Sequence, residues 1–138
     1  MANEIVKANV GSLMSEGVGA SFCSIQASDR KSAAKIFAAL NNPDERVANC
    51  INQTILVSDV LIEVAEIANE DTGEVSTVPR VVLIDKDGKT YQAVSLGMFN
   101  AVKNAIQVFG APTWVEPLEF TIRQKAVRNG SMLTADVK

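Results

Sequence analysis

Three basic residues near the end of the chain have a spacing that could bind phosphates. In the stretch FTIRQKAVRNG, Arg123 and Lys125 are two residues apart and Arg128 follows them at a turn. Because side chains alternate between the two faces of a β-strand, Arg123 and Lys125 are expected on one face, with Thr121. A row of cations on a sheet face fits a nucleic-acid backbone. The alternative is an ordinary solvated face of an antiparallel sheet.

Other side chains could extend such a surface. Arg80, Lys86 and Lys89 surround a central hairpin and would lengthen the row of cations if the sheet closes. Tyr91 is the only tyrosine and Trp114 the only tryptophan, and each ring could stack on a base. The alternatives are that Tyr91 packs under a helix and that Trp114 fills one end of the core.

The side chains needed for catalysis are missing. The chain has no histidine, so Ser-His-Asp and Cys-His arrangements and histidine metal sites are excluded. Cys23 and Cys50 are too few for a disulfide framework or a four-cysteine zinc site. The run that begins at Asp85 resembles a calcium loop, but Leu96 stands where the loop needs glutamate. We therefore predict no enzyme, no cofactor and no metal.

Composition and charge limit the class of protein. The 138 residues fit one domain, and 47% are hydrophobic, which supplies a core. No apolar run approaches the ~18 residues that span a bilayer, and no secretory signal is present, so we expect no membrane and a cytoplasmic location. The net charge of −3 is unevenly spread. Residues 44–74 carry −7, residues 75–138 carry +3 and residues 1–43 carry +1.

Apolar periodicity predicts two helices. Behind a predicted N-cap at Ser28, a stripe at helical spacing ends before Pro43, and it consists of Ala33, Ile36, Phe37 and Leu40. A second helix opens at Gly97 and ends at Gly110, with a stripe formed by Phe99, Val102, Ile106 and Phe109. The period places Phe37, Phe99 and Phe109 in the core. Residues 1–20 show no clear period and are expected to form a mobile arm or a poorly formed strand.

The remaining apolar segments predict strands, and the first is a short one over residues 21–25. Residues 54–68 are too long for one flat strand, so a bend or bulge is expected at Ser58-Asp59. Asp87-Gly88 and Asn129-Gly130 are hairpin turn pairs flanked by strands. The predicted fold is mainly β with two helices. It is an OB-fold-like five-stranded antiparallel barrel, with a terminal β-hairpin, in a single domain over residues 1–138. A flat two-layer α+β sandwich is the competing architecture.

These elements also carry a resemblance to a known family. The segments PRVVLIDKDGKTYQAVS, NAVKNAIQVFG, APTWVEPLEF and FTIRQKAVRNGSMLTADV, with SDRKSAAKIFAALNN before them, resemble small single-stranded DNA-binding proteins of tailed bacteriophages. Those that replicate their DNA by protein priming are included. The resemblance covers most of the chain beyond its first ~20 residues.

The resemblance implies a function and its partners. It implies an OB-fold protein that coats and protects single-stranded DNA during phage replication and recombination, in the host cytoplasm. It places Arg123, Lys125 and Arg128 on a basic sheet edge. Phage replication proteins are implied as further partners, and self-association is left open. The rival hypothesis is a phage structural or accessory protein whose sheet edge pairs with a partner chain.

Overall fold

The computed structural model describes residues 22–128 and 130–138. The predicted arm of residues 1–20 lies outside these ranges. No helix in the described ranges is long and apolar enough to cross a membrane. The elements, in chain order, are β1 Phe22–Cys23, α1 Arg30–Asn41, β2 Glu45–Arg46, a 3-10 turn Val47–Cys50, β3 Thr54–Ala68, β4 Val75–Asp85, β5 Thr90–Val94, α2 Leu96–Phe109, β6 Leu118–Val127 and β7 Gly130–Val137.

The seven described strands form one curled sheet, a half-barrel. Its order is β2-β5-β4-β3-β6-β7, and β1 pairs with β3. The mainly β class, the two helices and the terminal β6–β7 hairpin are confirmed. The predicted five-stranded antiparallel barrel differs from the observed sheet in two ways. The sheet has seven described strands, and its β2–β5 pair is parallel. The short strand predicted over residues 21–25 is confirmed at Phe22–Cys23, whereas the two-residue strand β2 is too short to show an alternating pattern. The topology does not establish an OB-fold.

The long strand β3 changes partner at a bulge. Its first residues pair with β6, and the pairing with β4 shifts register between Val57 and Asp59, as the predicted bend at Ser58-Asp59 requires. The nearly buried Asp59 carboxylate accepts hydrogen bonds from the hydroxyls of Ser24 (2.8 Å) and Thr113. The bulge therefore ties the end of β1 and the α2–β6 loop to the sheet.

Two apolar layers cover the two faces of the sheet. The main core lies between α2 and the inner face, with Phe99 and Phe120 fully buried. A smaller core lies under α1 on the other face, and it joins Ala39 to Leu61, Val82 and Ile84. Phe37 was predicted to be core, but it is 64% exposed. Only a narrow face of α1 contacts the sheet, so the wider stripe predicted from its period remains partly in solvent.

The helices begin within one residue of their predicted starts. Asp29, not Ser28, is the N-cap of α1, and it forms a capping box with Ser32. Both residue types are favoured caps, so the sequence alone did not separate them. Ser95 caps α2, and Gly110 ends that helix with a positive φ of 94°.

Helix α2 lies along the edge of β7 that β6 does not pair. At Gly97 the helix touches this strand so closely that a Cβ would overlap the carbonyl oxygen of Leu133. Beyond that contact, an open groove of about 390 Å³ separates the helix from the strand. The helix thereby shields part of an edge that could otherwise pair with another chain.

Candidate nucleic-acid interface

The β6–β7 hairpin presents its basic side chains to solvent. Phe120 and Ile122 are buried on the inner face of β6, so the intervening residues point outward. Arg123 lies opposite Thr134, and Lys125 lies opposite Met132. All residues from 123 to 128 are exposed. The predicted placement of Arg123 and Lys125 on one face of a strand is therefore confirmed, and Arg128 lies at the end of the same strand.

Arg123 is held in place but keeps part of its hydrogen-bonding capacity. Its Nε donates to Asp136 Oδ2 at 3.0 Å, and its Nη1 donates to Asn52 Oδ1 at 3.1 Å. A guanidinium group has five N–H donors, so these two bonds leave others for a phosphate. The Arg123–Asp136 ion pair is exposed, and exposed pairs contribute little stability, so a phosphate can compete for the cation.

Lys125 and Arg128 are less restrained. Within the described ranges, no ion pair joins either side chain to a carboxylate. Both are exposed. The free charge of the hairpin is therefore concentrated toward its turn.

The turn between β4 and β5 holds Lys86 and Lys89. The Lys86 backbone N–H donates to the Leu56 carbonyl at 3.0 Å, while Leu56 pairs with Glu119 of β6 on its other side. The turn and β6 therefore flank the start of β3. Lys86 Nζ contacts the carboxylate of Asp87 at 3.3 Å. Lys89 Nζ lies 5.2 Å from the centroid of the Tyr91 ring, a cation–π distance.

Tyr91 is half-buried against the main core. Its hydroxyl donates to Asp85 Oδ2 at 3.3 Å. Burial, together with the nearby Asp85 carboxylate, raises the pKa of Tyr91 to about 12, because both disfavour the phenolate. The ring is thus fixed by its hydroxyl at one end and covered in part by Lys89.

The ionisation of Tyr91 gives a direct test of this environment. Because the chain has one tyrosine, the ultraviolet absorbance of tyrosinate reports Tyr91 alone. The folded protein should titrate near pH 12, and the same protein in denaturant near the ordinary value of about 10. The folded pKa is the higher one, so this contribution to stability is complete below about pH 10 and is lost as pH rises toward 12. Asp85→Asn should lower the folded pKa partway, since burial remains. A folded-state pKa near 10 would contradict the described contacts.

Arg80 is not brought to the hairpin. It pairs with β3 at Glu63, whereas β6 pairs with β3 at residues 54–57. Its Nη1 contacts Glu63 Oε1 at 2.7 Å, and two of its nitrogens donate to Gln92 Oε1. The side chain is only 12% exposed. Its charge is therefore already paired with Glu63 of β3, and it also donates hydrogen bonds to Gln92 of β5.

Trp114 packs in the core, which is the alternative to stacking on a base. The residue is 6% exposed, and its ring lies tilted against Phe120 with 6.1 Å between centroids. The indole Nε1 donates to the Gly110 carbonyl, and the backbone N–H donates to the Ser58 carbonyl, both at 2.9 Å. Stacking of this ring on a base stays a prediction, but the ring face is covered by protein.

An exposed aromatic ring was missed by the sequence reasoning. Phe109 falls on the apolar stripe of α2, and the period therefore placed it in the core, yet it is 45% exposed. It is the last residue of the helix, directly before Gly110. The signal that could have identified it is this terminal position, where a straight helix leaves a curved sheet.

Opposite charges occupy different hairpins. The acidic ribbon, defined as residues 66–77 of the β3–β4 hairpin, contains no basic residue, and its acidic members are Glu66, Glu70, Asp71 and Glu74. Residues 68–77 are all exposed. By contrast, residues 120–135 contain no acidic residue. A polyanion is therefore favoured at the β6–β7 hairpin and repelled at the acidic ribbon.

In the described ranges, no cluster of three or more metal-ligating side chains is found.

Comparison with protein-family models supplies the family of the chain. A family model described as phage single-stranded DNA-binding protein matches residues 16–137. The chain belongs to this phi29-type phage family, and the predicted resemblance is confirmed. No curated protein and no solved structure matches the chain.

Proposed function

We propose that the protein coats single-stranded DNA without sequence preference and protects it during phage DNA replication and recombination. Membership of the phage single-stranded DNA-binding family supports the type of ligand. The separation of charge supports the choice of the β6–β7 hairpin as the DNA-binding surface. This hairpin has three exposed cations, and residues 120–135 contain no acidic residue. A chain of net charge −3 needs such a local patch to attract phosphates.

The proposed contacts follow from accessibility. Arg123, Lys125 and Arg128 bind phosphates along the hairpin, and Lys86 and Lys89 extend the path on the other side of β3. Tyr91 is the remaining stacking candidate of the two rings predicted, because its ring is half-buried rather than covered. We assign structural roles to the other two residues. Arg80 forms the ion pair with Glu63, and Trp114 packs in the core.

The proposed mechanism is binding without catalysis. Phosphate contacts are common to every sequence, and they release counterions, so affinity should fall with salt by a slope of about 0.7 per contact for single strands. The work would take place in the host cytoplasm, where phage DNA is replicated. Replication proteins of the phage are the proposed further partners.

Competition between single and double strands tests the function. Fluorescence anisotropy with labelled oligothymidine would be measured at two salt concentrations, with unlabelled single strand or duplex of equal length as competitor. We expect the single strand to compete more strongly at both salts. Equal competition by duplex would indicate a generic charge effect. Absence of binding at low salt would favour the rival accessory role through protein contacts.

A further inference from the structure

The groove between α2 and β7 combines a flat ring with uncharged polar groups. From Gly97 the helix and strand separate, and Asn100 and Asn104, one helical turn apart, line the helix side. Thr134 and Met132 line the strand side, and the half-exposed ring of Phe109 contributes to the same lining. Among the residues that the structure describes, no charged residue lines the groove.

This lining is chemically suited to a nucleobase. A base is a flat ring with hydrogen-bonding edges, and each asparagine amide offers both donors and an acceptor to such an edge. An aromatic side chain can stack on any base, since every base has a π-face. A phosphate would find no cation in the lining, so the charge pattern separates the two parts of a nucleotide. The groove volume of about 390 Å³ gives room for a planar ring of this kind.

The groove also adjoins the cations of the basic hairpin. Thr134 pairs with Arg123 and Met132 pairs with Lys125 in the β6–β7 register. A single strand, β7, therefore separates the cations of β6 from the groove, and neighbouring strands lie only ~4.8 Å apart. A DNA backbone that lies on Arg123 and Lys125 has its bases within reach of the groove on the far side of β7.

We propose that this groove is a base subsite, in which Phe109 stacks on a base and Asn100 and Asn104 bind its edge. The proposal rests on the function proposed above, and it adds a contact to bases beyond the phosphates. The lining offers a π-face and amides that can rotate, so the subsite accepts different bases.

The test compares oligothymidine with an abasic strand of the same length. Phe109→Ala and Asn104→Ala would be measured beside the wild type by anisotropy. Phe37→Ala is the matched control, because Phe37 is also an exposed phenylalanine but lies on α1, across the sheet. Asn104→Ala puts a strong helix former at an exposed helical position, so this variant should fold.

The base subsite predicts a specific pattern. Phe109→Ala should bind oligothymidine about tenfold or more weakly, while its affinity for the abasic strand and its salt slope stay unchanged. Asn104→Ala should show a smaller loss of the same kind, and Phe37→Ala none. Wild-type affinity for oligothymidine in both Phe109→Ala and Asn104→Ala would overturn the subsite and leave the proposed function intact. A wild-type protein that does not bind oligothymidine would overturn both.

Discussion

Replacing Trp114 by alanine is expected to lower the free energy of unfolding by about 3–5 kcal/mol, because a buried aromatic ring leaves a cavity when it is removed. The residue packs on Phe120, and its indole nitrogen binds the Gly110 carbonyl. Trp114→Ala should therefore melt at a lower temperature. Measured well below that temperature, the folded variant should bind oligothymidine with wild-type affinity.

The experiment needs a signal other than tryptophan fluorescence, since the chain has one tryptophan. Urea unfolding followed by circular dichroism gives the free energy of unfolding, and anisotropy of labelled DNA gives the affinity. Trp114→Phe is the matched control, because it keeps a ring against Phe120 but loses the bond to Gly110. It should cost less stability than Trp114→Ala, and it keeps the test informative if the alanine variant does not fold.

The fluorescence of the wild type supplies an independent check. Saturating oligothymidine should leave Trp114 emission nearly unchanged, since the ring is 6% exposed. Strong quenching, with a tenfold loss of affinity in Trp114→Ala and an unchanged melting temperature, would contradict the core assignment. It would instead establish the stacking role that the sequence left open.

Local patterns were sufficient to predict most elements of the fold. The two helices, the long β3 with its bulge and the two hairpins depend on residues close together in the chain, and all are present. What the sequence did not contain was the partner of each element. Strand β2 exists because it adds to an existing sheet, at Tyr91, and its two residues carry no period that would indicate this. Strand β1 was predicted, but its pairing with β3 was not.

In the candidate site, too, local patterns placed some residues correctly, and the positions of others depend on strand pairing. Arg123 and Lys125 were predicted correctly on one strand face because the alternation of a single strand decides it. Arg80 depends on the β3–β4 register, which places Glu63 directly opposite, and composition gives no register. The stripe of α2 placed Phe109 in the core, and only its position at the end of the helix indicated its exposure.

Removing the cations of the β6–β7 hairpin is expected to cause the largest change in affinity for DNA. The triple change Arg123→Ala, Lys125→Ala and Arg128→Ala removes three exposed cations, of which Arg123 is paired with Asp136 and the other two have no carboxylate partner in the described ranges. Each lost phosphate contact should reduce the slope of log affinity against log salt by about 0.7, so the slope should fall by about 2. Affinity should drop most at low salt, where counterion release contributes most.

A second triple variant separates local from overall charge. Arg30→Ala, Lys31→Ala and Lys35→Ala remove three exposed cations from α1, which packs on Leu61, Val82 and Ile84 of β3 and β4, and change the net charge equally. Both variants should melt close to the wild type, since surface substitutions usually have small effects on stability. Only the hairpin variant should lose slope. Equal losses in the two variants would mean that net charge governs binding. An unchanged slope in a folded hairpin variant would place the DNA elsewhere on the protein, because the phosphates would then have kept all of their cations.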